Sequence, residues 1–346
     1  MWFQSVCVVL TRKCNANCDI CCQSCSNTVN GKSYPSQQTL ENIICALKIK
    51  PDVLFKTEEK IDIEKTLMVI KELKKKELIR MVGITGGEPF IYFSDAIRLI
   101  EQIKQLGLGV TFTTNGFWGN DYDAASEKLE IIKKSGVNFF TLSVDDFHEK
   151  FVPYQSIANI VDISKKLDIK IIVNCVSTKN SKRLKGVLEK LEDSLINCNL
   201  VEIPCVPVGH AARRIKEDEY IYMEGLPNGA CEFMNTFTIL PNGNVFPCCS
   251  EAGMSSVLYL GNIYHDSVDD LLNNFYNNSI CSMLREKGTT YIYQELLSEN
   301  ERKKLRNRFI SSCDMCHVLF ENKDICDHIA YKVKHIIEEK SKPTCN

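Results

Sequence analysis

Six short β-branched runs alternate with amphipathic stretches over the first two hundred residues, and this constrains the fold of the chain more than any other feature. The runs are Val6 to Leu10, Arg80 to Thr85, Gly109 to Thr114, Val137 to Val144, Lys170 to Val176 and Asn199 to Ile203. Between them, apolar residues recur at helical spacing: Leu67, Ile70 and Leu73; Ala96, Leu99, Ile100, Ile103 and Leu106; Ala125, Leu129 and Ile132; Leu184, Val187, Leu188 and Leu191. Ser94 reads as the cap of the second helix and Gly107 as its end. Strands separated by helices pair in parallel, and repeated right-handed crossovers curl such a sheet. The expected fold is therefore α/β, a partial (β/α)6 barrel, with an open doubly wound sheet as the alternative.

Ligands of such sheets sit at the carboxyl ends of the strands. The polar motifs fall there. Cys14-Asn-Ala-Asn-Cys18-Asp-Ile-Cys21 follows the first strand, Thr85-Gly86-Gly87-Glu88-Pro89 the second, Thr113-Thr114-Asn115-Gly116 the third, and Ser143-Val-Asp145-Asp146-Phe-His148 closes the fourth. Three thiolates on one loop make a metal site. A cubane takes four ligands, so three cysteines leave one iron open to an exogenous group. A zinc knuckle would use the same residues.

The 18 cysteines fall mainly in two groups, 14–25 and 231–326, which implies two metal centres. Cys7, Cys45, Cys175 and Cys198 lie among apolar neighbours and read as buried thiols. Past residue 205 the strand pattern thins. Phe237 to Phe246 reads as a hairpin turning at Asn242-Gly243, with Cys231 before it and Cys248 just after, and helices are expected over 267–287 and 293–309 ahead of Cys313-Asp-Met-Cys316. The expected domains are 1–204, a bridge over 205–230, and 231–346. Residues 26–60 read as a polar loop, a short helix near Ser36 to Leu47 and a charged connector.

With 42 basic and 44 acidic residues, the net charge of -2 gives no general attraction to nucleic acid or to anionic lipid. No apolar run reaches the length that spans a bilayer, and the N-terminus lacks the features of a secretion signal. A cytoplasmic location is expected, where so many cysteines point to metal or redox chemistry rather than disulfides.

Cys14-x3-Cys18-x2-Cys21 together with Gly86-Gly-Glu-Pro89 resembles the radical S-adenosylmethionine (radical SAM) superfamily, over residues 5 to about 215. The resemblance implies a [4Fe-4S] cluster on Cys14, Cys18 and Cys21 whose fourth iron chelates SAM, and cleavage to a 5'-deoxyadenosyl radical. Gly86, Gly87 and Glu88 would meet the methionyl amine, Ser143, Asp145 and Asn174 the methionyl or ribose part, and Val206-Pro-Val-Gly209 would lie beside the adenine. Ile20 stands where family members often carry an aromatic residue before the third cysteine.

The second group resembles the twitch or SPASM extension. Cys231, eleven residues, Gly243, four residues and Cys248 match its opening, and Cys313-x2-Cys316-x9-Cys326 departs from the longer run of cysteines of two-cluster members. One auxiliary [4Fe-4S] cluster on Cys231, Cys248, Cys313 and Cys316 is implied, making two in the chain. The resemblance further implies a ribosomal precursor peptide as substrate and a flavodoxin- or ferredoxin-type electron donor. No winged-helix leader-binding domain is expected before the first strand. Cys248-Cys249 is similar to the epimerases that make epipeptides, which implies L-to-D inversion with Cys249 returning hydrogen. A thioether or carbon-carbon cross-linking maturase is the alternative, and an iron-sulfur electron carrier the alternative of another class.

Overall fold

The computed structural model describes residues 4–27, 59–196, 198–250 and 253–340, so the helix expected near Ser36 to Leu47, and Cys45, lie outside the described residues. The chain forms two compact units. Among the described residues, the first takes the chain up to Ile221 with the turn Ile239–Gly243, and the second takes Tyr222–Thr238 and the chain from Asn244 on.

In the first unit β1 (Ser5–Val9), α1 (Ile63–Lys75), β2 (Met81–Thr85), α2 (Phe93–Gln105), β3 (Gly109–Thr114), α3 (Tyr122–Ser135) and β4 (Phe139–Ser143) follow in turn. Next come the short α4 (Asp146–Glu149), α5 (Tyr154–Lys166), β5 (Lys170–Ser177), α6 (Arg183–Leu191), β6 (Asn199–Pro204) and the short α7 (Ala211–Arg214). The six strands pair in parallel in the order β6-β5-β4-β3-β2-β1. No pairing of β6 with β1 closes them, so the sheet is the open, partial-barrel form.

Along each of β1 to β5 the side chains alternate. Val6, Val82, Val110, Phe140 and Ile171 lie on a buried face, while Cys7, Gly83, Thr111 and Thr141 are half-buried. Phe112 and Phe140 face each other across the ladder and stack at 4.8 Å, with Phe90 against Phe112 at 4.6 Å. The helix stripes complete this core: Leu67, Ile70, Leu73, Ala96, Leu99, Ile100, Ile103, Leu129 and Ile132 are all buried.

Local chemistry sets the helix ends. The Asp62 and Asp121 carboxylates accept N–H bonds from Lys65 and Ala124, and Gly136 ends α3 at φ +85°. Ser94 is not the cap of α2. A 3-10 turn over Pro89–Tyr92, capped by Glu88, leads into the helix and moves its start to Phe93.

The second unit holds β7 (Thr236–Ile239), β8 (Asn244–Phe246), β9 (Gly261–Asn262), α8 (Val268–Tyr276), α9 (Ser279–Glu286), α10 (Gly288–Tyr291), α11 (Glu299–Arg302), α12 (Ser312–Glu321) and α13 (Lys323–Lys340). The hairpin turns at Gly243, at φ +84°. The helix expected over 267–287 is two, because the Asn278 side chain accepts from Ile280 and Cys281 N–H and starts α9 afresh. Over 293–309 a π turn and α11 replace the expected single helix, as the Ser298 capping box begins a new helix there. Among the described residues no helix is long and apolar enough to cross a membrane.

Candidate functional site

The loop after β1 is anchored from both sides. Leu10 N–H donates to Thr85 O at 2.8 Å, Gly87 N–H to Thr11 O at 2.7 Å and Glu88 N–H to Lys13 O at 2.9 Å, so the β1–β2 ladder runs on into the cysteine loop. A Cβ at Gly86 would lie 2.4 Å from Thr11 O, and one at Gly87 2.3 Å from Lys13 O. The two glycines are therefore required by the approach of two backbones. At the far end, Cys14 N–H donates to Ser26 O at 3.0 Å. His210 N–H, just before α7, donates to Cys21 O at 2.8 Å, and a Cβ at Gly209 would lie 2.0 Å from Cys22 O.

Two of the three thiols, Cys14 and Cys21, accept from N–H donors. The Cys14 sulfur accepts from Ala16 N–H at 3.4 Å and from Asn115 Nδ2 at 3.9 Å. The Cys21 sulfur accepts from Cys25 N–H at 3.3 Å. The His148 ring stands within electrostatic reach of Cys18 and Cys21. Burial pushes the Cys14 thiol up to about 12. The hydrogen bond from the Cys25 thiol, helped by backbone N–H groups, outweighs burial at Cys21 and brings it down to about 6.

Glu88 is fully buried. One carboxylate oxygen accepts from Phe90 N–H at 3.0 Å and Thr114 Oγ1 at 2.9 Å, the other from Asn115 N–H at 2.7 Å. Burial pushes it up to about 7 against those donors. Asp145, also buried, caps α4: Oδ1 accepts from Phe147 and His148 N–H and meets His148 Nδ1 at 2.9 Å, and Oδ2 accepts from Val176 N–H at 3.2 Å. Ser143 and Asn174 are cross-strand partners on the half-buried face, and Val206 is half-buried just beyond β6. Gly86, Gly87, Glu88, Ser143, Asp145 and Val206 thus stand at the strand ends that carry Cys14, Cys18 and Cys21, with Asn174 inside β5 at the same end.

In the second unit Cys231, Cys248, Cys313 and Cys316 line one cavity of about 400 Å³, with Phe233, Met234 and Thr289. Burial raises all four thiols above their ordinary value. Cys313 and Cys316 ride the first turns of α12, capped by Ser311. Between them the buried Asp314 pairs with Arg306 and accepts Ile310 N–H at 2.8 Å. Cys249 is exposed and does not line the cavity, and Cys326 is buried but outside it. Cys281, buried on α9, stands within electrostatic reach of Cys231 and Cys316.

Among the described residues no three His, Cys, Asp or Glu side chains converge as tightly as one ion requires. Ligands of a multi-iron cluster each hold a different iron and stand farther apart. Buried and half-buried soft thiols, with backbone N–H groups on the Cys14, Cys21 and Cys248 sulfurs, fit such a cluster in both units.

The radical SAM superfamily profile matches residues 8–191, more than half of the chain. The chain belongs to this superfamily. A SPASM profile, an iron-sulfur cluster-binding domain, matches residues 231–317. Radical SAM and SPASM regions together imply iron-sulfur clusters and SAM as cofactors. The chain is 28% identical to the peptide biosynthesis protein YydG of Bacillus subtilis (strain 168), over 93% of each chain. It is 24% identical to GTP 3',8-cyclase of Listeria monocytogenes serovar 1/2a, over 58% of this chain and 55% of that one. Among solved structures, anSMEcpe with bound AdoMet covers 97% of this chain and 99% of its own at 14% identity, with a TM-score of 0.54, a likeness of fold.

Sequence reasoning placed Asn115 and His148 within motifs without giving them roles, and passed over Cys281. Asn115 meets the Cys14 sulfur and His148 comes within electrostatic reach of Cys18 from more than a hundred residues away, and spacing along the chain carries no signal of that.

Proposed function

We propose that the protein inverts α-carbons of a ribosomally made precursor peptide from L to D. The observation that carries this reading is the pair Cys248-Cys249, the first buried in the four-thiol cavity and the second exposed outside it. Similarity to a peptide biosynthesis protein over most of the chain supports a peptide substrate.

Cys14, Cys18 and Cys21 would hold one [4Fe-4S] cluster and leave room for SAM to complete its ligand set. The bound cofactors supply a carbon-centred radical able to take hydrogen from an unactivated carbon. Gly86, Gly87 and Glu88 receive the methionyl amine; Ser143, Asp145 and Asn174 orient the methionyl and ribose parts; Val206 flanks the adenine. The Glu88 carboxylate has about four acceptor positions, and three are taken within the chain. Cys231, Cys248, Cys313 and Cys316 hold the second cluster, and a flavodoxin- or ferredoxin-type donor supplies electrons. Cys249 gives its sulfur-bound hydrogen atom to the peptide radical from the face opposite to abstraction, and the thiyl radical left on its sulfur returns to the thiol by taking one electron from that donor and one proton from solvent.

The test runs wild type and Cys249→Ala in D2O with the cognate peptide. Wild type should place one solvent deuterium at each inverted α-carbon; Cys249→Ala should keep its iron and 5'-deoxyadenosine formation but deliver no D-residues. Inversion with deuterium in the variant would remove Cys249 from the reaction, and a product two hydrogens lighter would make the enzyme a cross-linking maturase.

A further inference from the structure

The six parallel strands leave β6 and β1 at opposite ends of their run, with no ladder between them among the described residues. The loops that follow these two strands nevertheless meet. His210 N–H donates to Cys21 O at 2.8 Å, and its ring Nδ1 meets Cys18 O at 3.3 Å. From α7, Arg213 Nη2 donates to Ser24 Oγ at 3.1 Å, and Arg214 Nη1 donates to Asn17 O at 3.1 Å and to Asn17 Oδ1 at 3.0 Å. The same nitrogen lies 3.5 Å from Asp19 Oδ1, and the other Asp19 oxygen pairs at 2.8 Å with Lys150 Nζ, at the end of α4. The strap is itself held. The Tyr220 hydroxyl donates to Ala211 O at 2.8 Å, and Lys179 N–H, just past β5, donates to Glu219 O at 2.8 Å. The outer stretch of the cysteine loop is thus tied to the ends of β4 and β6, as its inner stretch is tied to the end of β2.

We propose that Arg214 is a positioning residue: by holding Asn17 and Asp19, which stand between the three ligand cysteines, it fixes the cysteine loop against the segment after β6 and so sets the affinity for SAM. The proposal rests on the ligand set and the adenine assignment given above. In that reading SAM reaches from the site of Cys14, Cys18 and Cys21 to Val206, and these two places follow strands that share no ladder. Gly209, three residues past Val206, already lies so close to the loop that a Cβ would stand 2.0 Å from Cys22 O. With Arg214 gripping the loop at Asn17 and Asp19, the separation of the two places is fixed before SAM arrives, and a site formed in advance binds with less loss of freedom. Arg214 and Asp19 side chains are each 34% exposed. An ion pair so placed adds little to global stability, and its consequence is local geometry.

The experiment measures SAM binding by calorimetry, iron content and amide hydrogen exchange on the reconstituted protein, for wild type, Arg214→Ala, Arg214→Lys, Asn17→Ala and the double variant Arg214→Ala with Asn17→Ala. Arg214→Ala should keep its iron and bind SAM about tenfold more weakly, the effect of losing one charge-assisted hydrogen bond. Its amides over 17–24 should exchange faster, with those of β1 and β2 unchanged. Arg214→Lys, which keeps the charge beside Asp19, should recover part of the affinity. Asn17→Ala should also weaken SAM, and the double variant should bind it no more weakly than Arg214→Ala, because the two residues act through one contact. An unchanged SAM affinity in Arg214→Ala would overturn the proposal. So would losses that add in the double variant, or equal losses of iron in Arg214→Ala and Arg214→Lys, which would mark a structural role. A wild type that holds its iron and binds no SAM would overturn the cofactor assignment itself, and the proposal with it.

Discussion

The Glu88 carboxylate accepts the backbone N–H of Asn115 at 2.7 Å, tying the end of β2 to the end of β3. The Asn115 amide reaches on to the Cys14 sulfur at 3.9 Å and to Asn15 Oδ1 at 2.9 Å. The Gly-Gly-Glu-Pro segment and the cysteine loop are thus one hydrogen-bonded unit, and disturbance of either reaches the other.

Glu88→Gln should weaken SAM binding by about 1.5 to 3 kcal/mol, the worth of a charge-assisted hydrogen bond, with the iron retained. The pH dependence has a definite sign. Burial raises Glu88 to about 7, so below that pH it is neutral and above it is the anion that pairs with an ammonium. SAM affinity should therefore rise between about pH 6 and 8 in wild type and lose that rise in Glu88→Gln, as measured by calorimetry. Equal affinities and parallel profiles would limit Glu88 to capping the turn it begins.

Gly87→Ala places a Cβ 2.3 Å from Lys13 O, a backbone atom that cannot swing aside. The change should cost about 1–3 kcal/mol, because the segment after β2 and the cysteine loop must part. Thermal unfolding with iron analysis should show a lower midpoint together with iron loss from the N-terminal site. Gly107, whose added Cβ would meet nothing within 4 Å but whose φ is +73°, should on Ala substitution lose some stability and keep its iron.

Reconstituted wild type should carry about eight irons. Cys14, Cys18 and Cys21 changed together to Ala should remove about four and abolish SAM cleavage; Cys316→Ala should remove iron from the second site only. Cys281→Ala, outside the cavity lining, should keep its iron and lose about 1 kcal/mol of stability through a small void in α9 packing. Iron loss in Cys281→Ala would bring that residue into the ligand set.

Much of the fold was legible because period-two and period-3.6 patterns reflect burial directly. All six parallel strands appear within two residues of the expected bounds, and the stripes of α1, α2 and α3 form the core. Helix starts were less legible. Ser94 carries a capping side chain, but Glu88 caps a 3-10 turn upstream and the chain enters α2 already coiled. The breaks at Asn278 and Ser298 follow from side chains that capture backbone N–H groups, a competition that apolar spacing does not report.

The sequence by itself determined the parallel sheet, the end of it that carries the chemistry and the thiols of the N-terminal loop, because each of these is written in local patterning, in the alternation of strand and helix periods and in which motif follows which strand. Tertiary structure decided which distant groups face those thiols. Asn115 reaches Cys14, and His148 comes within electrostatic reach of Cys18, only because the parallel register delivers the ends of β3 and β4 to the edge where β1 ends. It also decided that Cys231 and Cys248 share a cavity with Cys313 and Cys316 while Cys281 and Cys326 stand outside it. Hydrogen bonding and burial act over a few ångströms of space, and folding sets which residues come within that range.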